Sequence, residues 1–291
     1  MLFELFFSAV LLGSFVTSRS CNGYAELCSR KYSNVTQIGS HNPAFSGHQP
    51  RHTQLLSVKE QLNHGTRFLQ VPVHVKDDRL HMCQSSCKLE DAGKLMGLLD
   101  DIKEFMEENF NEIITLFLGN MNRAPAEMFR KDLAASGLAE HAFIPPKRLA
   151  VDEWPTLEEL IKSDTRLIVF MDHGANATEA PQILDEYSYF FETKSDVVDS
   201  NFSSCALDQP SGSDGNGLMM LVNHYLSIDV RGALVPNRGA APRTNAPTGK
   251  GSIGAQSNVC RNEWGRSPTL ISIDYVGMGD SMTAQSILNG F

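Results

Sequence analysis

The chain has 291 residues, 42% of them apolar and 20% charged, and its 25 lysines and arginines stand against 34 aspartates and glutamates for a net charge of -9. That length and apolar content suit one large domain or two small ones with a sizeable core, and the mixed charge does not read as a disordered tail. An acidic balance without any lysine or arginine run argues against a nucleic-acid partner.

From Leu2 to Val16 the chain is apolar, interrupted only by Glu4. The stretch has the length of a signal-peptide core, and the small residues after it place cleavage after Ser18 or Ser20. It is too short to span a bilayer comfortably, so no integral membrane segment is expected. The domain reading is therefore a leader over residues 1–20 and one unit over 21–291. A buried N-terminal helix is the alternative, because a basic stretch ahead of the apolar core is missing.

Six cysteines, Cys21, Cys28, Cys83, Cys87, Cys205 and Cys260, fit an exported chain with disulfides. Six cysteines allow 15 pairings. Proximity favours Cys21–Cys28 and Cys83–Cys87, leaving Cys205–Cys260. No second Cys pair or His-x-x-His completes a zinc site beside Cys83 and Cys87, so no metal is assigned. Sequons at Asn34, Asn176 and Asn201 fit an exported surface, and SILNGF carries no apolar tail for a lipid anchor.

In chain order, TQIGSH (36–41) reads as a short buried strand and SVKEQLNHG as a helix ending near Gly65. RFLQVPVHV alternates, with Leu69, Val71, Val73 and Val75 on one side and Phe68, Gln70, Pro72 and His74 on the other. RLHMC is its return strand. Leu95, Leu98, Leu99, Ile102, Phe105 and Met106 mark an amphipathic helix. EIITLFLGN is a buried strand, and AEMFRKDLAAS and TLEELIKSD are helices. RLIVFMDH, LMMLVNHY and TLISIDY are further apolar strands. Gln209–Gly217 and Gly232–Gly254 read as long loops.

Apolar strands alternating with helices predict an α/β fold, a single (β/α) TIM-type barrel of about eight strands with disulfide-stapled loops. An open doubly wound sheet is the alternative, but no glycine-rich nucleotide fingerprint follows the first strand. Barrel active sites lie at the C-terminal strand ends. Several strands end in polar groups there: His41 and Asn42, Asn120, Asp172, Asn223 and His224, Asp274 and Tyr275, with Gln70 and His74 on the second strand. Their recurrence at one end makes them candidates for a common site.

The segments TQIGSHNPAF, GTRFLQVPVHV, LHMCQSSCKLEDAG, ITLFLGN, DEWPTLEELI, RLIVFMD, ILDEYSYFFET, LVNHYLSIDV and LISIDYVGMGD resemble the catalytic X domain of phosphatidylinositol-specific phospholipase C, above all its secreted fungal branch. The resemblance implies a phosphoric diester hydrolase in which two histidines act as acid and base and a cation stabilises the phosphate charge. His41 matches the first histidine. Asn42 matches the polar residue beside it. Gln70 and Pro72 stand where strand two carries acidic or arginine groups, so a calcium cofactor is not expected. Gln84 falls at the second histidine, where fungal relatives read C-H-x-S-C, and the resemblance implies that it faces His41 across the barrel mouth. An amide neither accepts nor donates a proton at physiological pH. His74 is the nearest substitute on the same strand face; His81, at an odd offset, points away from Gln84.

Two functions follow from the resemblance. One is a secreted phosphodiesterase acting on phosphoinositide or a related phosphodiester, with catalytic His41, Gln84 and His74 and with Asn42, Gln70, Asn120, Asp172, Asn223, His224, Asp274 and Tyr275 contacting the head group. The other is a silent relative that binds a sugar phosphate or a surface partner. A glycerophosphodiesterase-like barrel is a third and weaker reading, because strand two lacks paired acids.

Overall fold

The computed structural model describes residues 20–291, so the leader expected over residues 1–20 lies, apart from Ser20, outside the described residues. Eight strands run parallel in one curled sheet: β1 (Gln37–His41), β2 (Phe68–Lys76), β5 (Ile114–Gly119), β6 (Leu167–Met171), β7 (Ile183–Asp185), β8 (Phe190–Thr193), β10 (Met219–Asn223) and β13 (Leu270–Ile273). Their order is β7-β6-β5-β2-β1-β13-β10-β8. Strands β3 (Arg79–Cys83) and β4 (Asp91–Lys94) extend β2 as an antiparallel flap, and β9 (Leu207–Gln209) pairs antiparallel with β8. Strands β11 (Ser227–Val230) and β12 (Ala233–Pro236) form a separate hairpin.

The helices are α1 (Val58–Asn63), α2 (Leu95–Glu108), α3 (Ala126–Ala135), α4 (Leu157–Lys162), α5 (Ala241–Thr244), α6 (Ile253–Trp264) and α7 (Ser281–Leu288). Local chemistry sets their ends. Ser57 with Glu60 and Thr156 with Glu159 form capping boxes that start α1 and α4. Gly265, in the left-handed region, stops α6. The expected apolar stripe of α2 is buried in full.

This is a TIM-type barrel, but an incomplete one. No ladder joins β7 to β8, and no α-helix separates β6, β7 and β8. The segment Gly232–Gly254, expected as a loop, holds β12, α5 and the start of α6. These pieces are too short to show a period in sequence, and β12 pairs only within its own hairpin.

Alternation along the strands separates two faces. Outward residues such as Leu69, Val71, Leu116, Leu118 and Val169 pack with the stripe of α2. Inward residues Phe68, Phe117, Phe170 and Phe190 meet ring to ring at 4.9–5.3 Å. Phe190 of β8 touches rings from β5 and β6, so the sheet curls back on itself even though its edges do not pair. The rings fill the barrel floor as a plug.

All three disulfides are the pairs that proximity favours: Cys21–Cys28, Cys83–Cys87 and Cys205–Cys260. The last joins the segment before β9 to α6 across the helix-covered side.

Candidate active site

One step of the same alternation above the aromatic plug changes the chemistry. His41 and Gln70 follow Gly39 and Phe68 inward; Asp172 follows Phe170, Glu186 follows Leu184, and Glu192 follows Phe190. Asn223 follows Leu221, and Ser272 and Asp274 follow Leu270. The parallel register holds these residues at one height: His41 lies opposite Gln70, and Asn223 opposite Ser272. The result is a polar ring at the C-terminal mouth over an apolar floor.

His41 is the best-held member. Its Nδ1 lies 2.9 Å from Asp274 Oδ1, and its ring stacks on Tyr225 at 3.8 Å between centroids with planes 4° apart. Its carbonyl accepts a 2.8 Å bond from Gln54 Nε2. Burial raises the Asp274 carboxyl above the usual carboxylate range, against the pull of His41. A carboxylate on Nδ1 selects the tautomer with the lone pair on Nε2, leaving that nitrogen as a base. Tyr225, two residues beyond Asn223, lies within electrostatic reach of Glu192 and Asp274; burial pushes its hydroxyl well above its ordinary value.

Across the mouth, the Asn223 amide donates 2.9 Å to Glu192 Oε2 and 2.8 Å to the Thr193 carbonyl. Glu186 is only 3% exposed. Burial first, then the charge of Glu192 and a hydrogen bond to it, hold the Glu186 carboxyl well above the usual range. Glu186 Oε1 and Asn223 Oδ1 are buried without partners. Among the described residues, no three His, Cys, Asp or Glu side chains converge as a metal-ligand group.

The PI-PLC X family model matches residues 27–289. The chain belongs to that family. It is 42% identical over 272 residues to the "PI-PLC X domain-containing protein 1" of Arthroderma benhamiae, covering 93% of this chain and 89% of the relative. An "uncharacterized secreted protein" of the same fungus is 38% identical over 274 residues, 90% of this chain and 61% of that protein. In fold, the chain is similar to the phosphatidylinositol-specific phospholipase C of Listeria monocytogenes, with a TM-score of 0.59 at 14% identity over 90% of this chain and 94% of that one. The enzyme of the same name from Staphylococcus aureus gives 0.59 at 15% identity over 89% and 93%.

The family's strand-end residues divide by direction. Gln70 points inward and accepts 2.7 Å from Ser272 Oγ. The neighbours of the inward groups point away and hold loops. Asn42, with φ of 51°, donates its N–H to the Gln70 carbonyl and accepts from Thr53. The Asn120 amide bonds the carbonyls of Ala124 and His173, each at 2.9 Å, while its backbone N–H reaches Asp172 Oδ1 at 2.6 Å. His224 is buried between Gln256 and the Thr244 carbonyl under Phe202, and burial lowers its basicity. Tyr275 donates to the His52 carbonyl, with its phenol pushed up to about 12 by burial.

Register carries the segment after β3 back to the height of Gln70–Pro72, since Val73 pairs with Met82. Gln84 sits there, half-buried at the start of the Cys83–Cys87 ring. His74 lies in a groove with Ser85, Ser86, Cys87, Lys88 and Asn122 that His41 does not line. Among the described residues, no hydrogen bond or ring contact joins Gln84 or His74 to His41. His81 is paired with Asp91 on the flap. His52 Nε2 lies 3.3 Å from Glu90 Oε1, linking the loop after β1 to the segment after the disulfide ring. Sequence reasoning missed Tyr225, Glu186, Glu192 and Ser272. The two-residue period within β8 and β13 would have found Glu192 and Ser272, while Glu186 and Tyr225 lie past strand ends where no period holds.

Proposed function

We propose that the chain is an exported phosphoric diester hydrolase acting on an inositol-lipid head group or a related phosphodiester with a hydroxyl beside the phosphate. The observation that carries this reading is His41, aligned by Asp274 and laid flat on Tyr225 at the mouth. Nε2 takes the proton from the substrate hydroxyl, and that oxygen bonds to phosphorus. The bond from phosphorus to the leaving oxygen breaks, and the leaving alkoxide needs a proton. Gln84 has none to give. Glu186, whose carboxyl burial and the neighbouring Glu192 hold above the usual range, is the donor this reading assigns. No cation enters this reading, because Gln70 and Pro72 offer no anionic ligand on β2. The three disulfides and the secreted Arthroderma relative support export.

A second reading, binding without turnover, is favoured by a specific observation. Asp172, Glu186, Glu192 and Asp274 line a mouth that would face a phosphate, and Gln84 removes one proton carrier. Loss of one acid or base typically costs about 10²–10⁴ in rate. The deciding experiment assays inositol lipids and soluble phosphodiesters with the native, His41→Ala and Gln84→His forms. The hydrolase reading expects turnover that His41→Ala abolishes and Gln84→His raises by about 10²-fold or more. Native turnover equal to that of His41→Ala ends it in favour of the binding reading.

A further inference from the structure

The opposite end of the barrel carries a different charge. A pocket of about 570 Å³ opens at the N-terminal ends of β1 and β13, floored by the segments that precede those strands and by the end of α7. Four cationic side chains line it: Arg30, Lys31, Arg261 and Arg266. Asp152 is the one carboxylate in the lining. In a chain of net charge -9, a four-to-one excess of positive charge in one concavity runs against the composition.

None of the four cations has a carboxylate within ion-pair distance among the described residues, although most charged side chains on the flap and helices do. Lys31 donates to the Asp152 carbonyl, Arg261 to Ser267 Oγ at 2.9 Å, and Arg266 to the Leu218 carbonyl. Arg30 lies over the Phe291 ring at 5.2 Å. Each head group is therefore positioned by a neutral partner, although Lys31 also lies within electrostatic reach of Glu159. Arg266 is half-buried, and burial alone depresses its basicity with no anion to offset the effect. The Ser267 hydroxyl, which accepts from Arg261, keeps its own hydrogen to offer the pocket, whereas Ser33 donates to the Val151 carbonyl.

We infer that this pocket is a second ligand site, for a soluble anion carrying two or more phosphate or sulfate groups on a sugar-sized frame. Guanidinium groups match such oxyanions in paired hydrogen bonds, and several converging cations select multiple charges over one. The volume exceeds what a single phosphate fills. A lipid head group is disfavoured, because the pocket lies at the end of the barrel away from the mouth where a membrane substrate must enter. The inference is independent of whether His41 catalyses anything.

The test measures binding of inorganic pyrophosphate and of a trisulfated heparin disaccharide to the whole exported chain by calorimetry at low ionic strength. The chain is measured both unaltered and as Asn34→Gln, since the Asn34 sequon lies in the pocket lining. Saturable binding of either probe is expected, weakened at least about tenfold by Arg261→Gln with Arg266→Gln and unchanged by His41→Ala. Which probe binds more tightly identifies phosphate or sulfate as the natural group. Lys31→Gln with Arg261→Gln, both at exposed positions, gives a second variant whose melting temperature should match the parent. The inference is overturned if neither probe saturates by about 5 mM, a concentration far above ordinary ligand affinities. Binding insensitive to both paired substitutions, or removed by His41→Ala, overturns it equally.

Discussion

At the residue scale the site rests on three side chains whose roles depend on one another. Asp274 holds the His41 tautomer, and Tyr225 fixes the ring plane. If the chain turns over a phosphodiester, Asp274→Asn leaves the geometry near intact yet presents an amide that also tolerates the wrong tautomer. We expect kcat to fall by about 10²–10⁴ with little change in KM; an unchanged kcat would remove Asp274 from the mechanism. Glu186 makes a separate prediction. Its folded pKa is raised by burial and by Glu192, so the folded chain keeps a proton that the unfolded chain releases above its ordinary value of 4.5. Stability from this group is complete below that pH and falls as pH rises toward the folded value. Urea midpoints of the native chain should decline as pH rises above 4.5, and Glu186→Gln should flatten that decline.

At the scale of elements, each strand end presents a polar doublet with one member turned in and one turned out. The doublets Asp172-His173, Asn223-His224 and Asp274-Tyr275 look equivalent in sequence. The pleat gives the first of each to the mouth; His224 and Tyr275 turn to the loops, whereas His173 Nδ1 stays 3.0 Å from Asp172 Oδ2. Asn120 shows what an outward residue does: its amide joins the loop after β5 to the segment after β6. Asn120→Ala should cost about 2–3 kcal/mol of unfolding free energy by urea titration, because the Ala124 N–H and two carbonyls lose their buried partner. The flap is a second example. Asp91 gathers Lys76, His81 and the Gly93 N–H. Burial would raise its carboxyl, but these three contacts outweigh it and hold it at about 2. The alternation was legible in residues 67–75; its continuation past the strand ends was not, since turns such as Glu186–Ser188 interrupt the pattern.

At the scale of the whole molecule, the barrel is closed by its contents more than by its ladder. Phe117 touches Phe68, Phe170 and Phe190, which come from three different strands. Phe117→Ala should cost about 3–5 kcal/mol in denaturant unfolding; a loss under about 1 kcal/mol would show that the plug does not hold the open seam. Sequence alone determined the parallel strands, the helices over SVKEQLNHG and TLEELIKSD, and the position of His41 at a strand end. Each depends on neighbours a few residues apart or on a pattern repeated along one segment. Only the tertiary structure decided that β7 and β8 stay unpaired, that Tyr225 lies under His41, that Glu186 and Glu192 share one corner, and that four cations converge at the far end. His41 and Tyr225, like Arg30 and Arg266, lie far apart in the chain, whereas Glu186 and Glu192 are near neighbours on either side of a turn; in each case their meeting is set by how the strands are placed and how far the sheet curls, which no local pattern encodes.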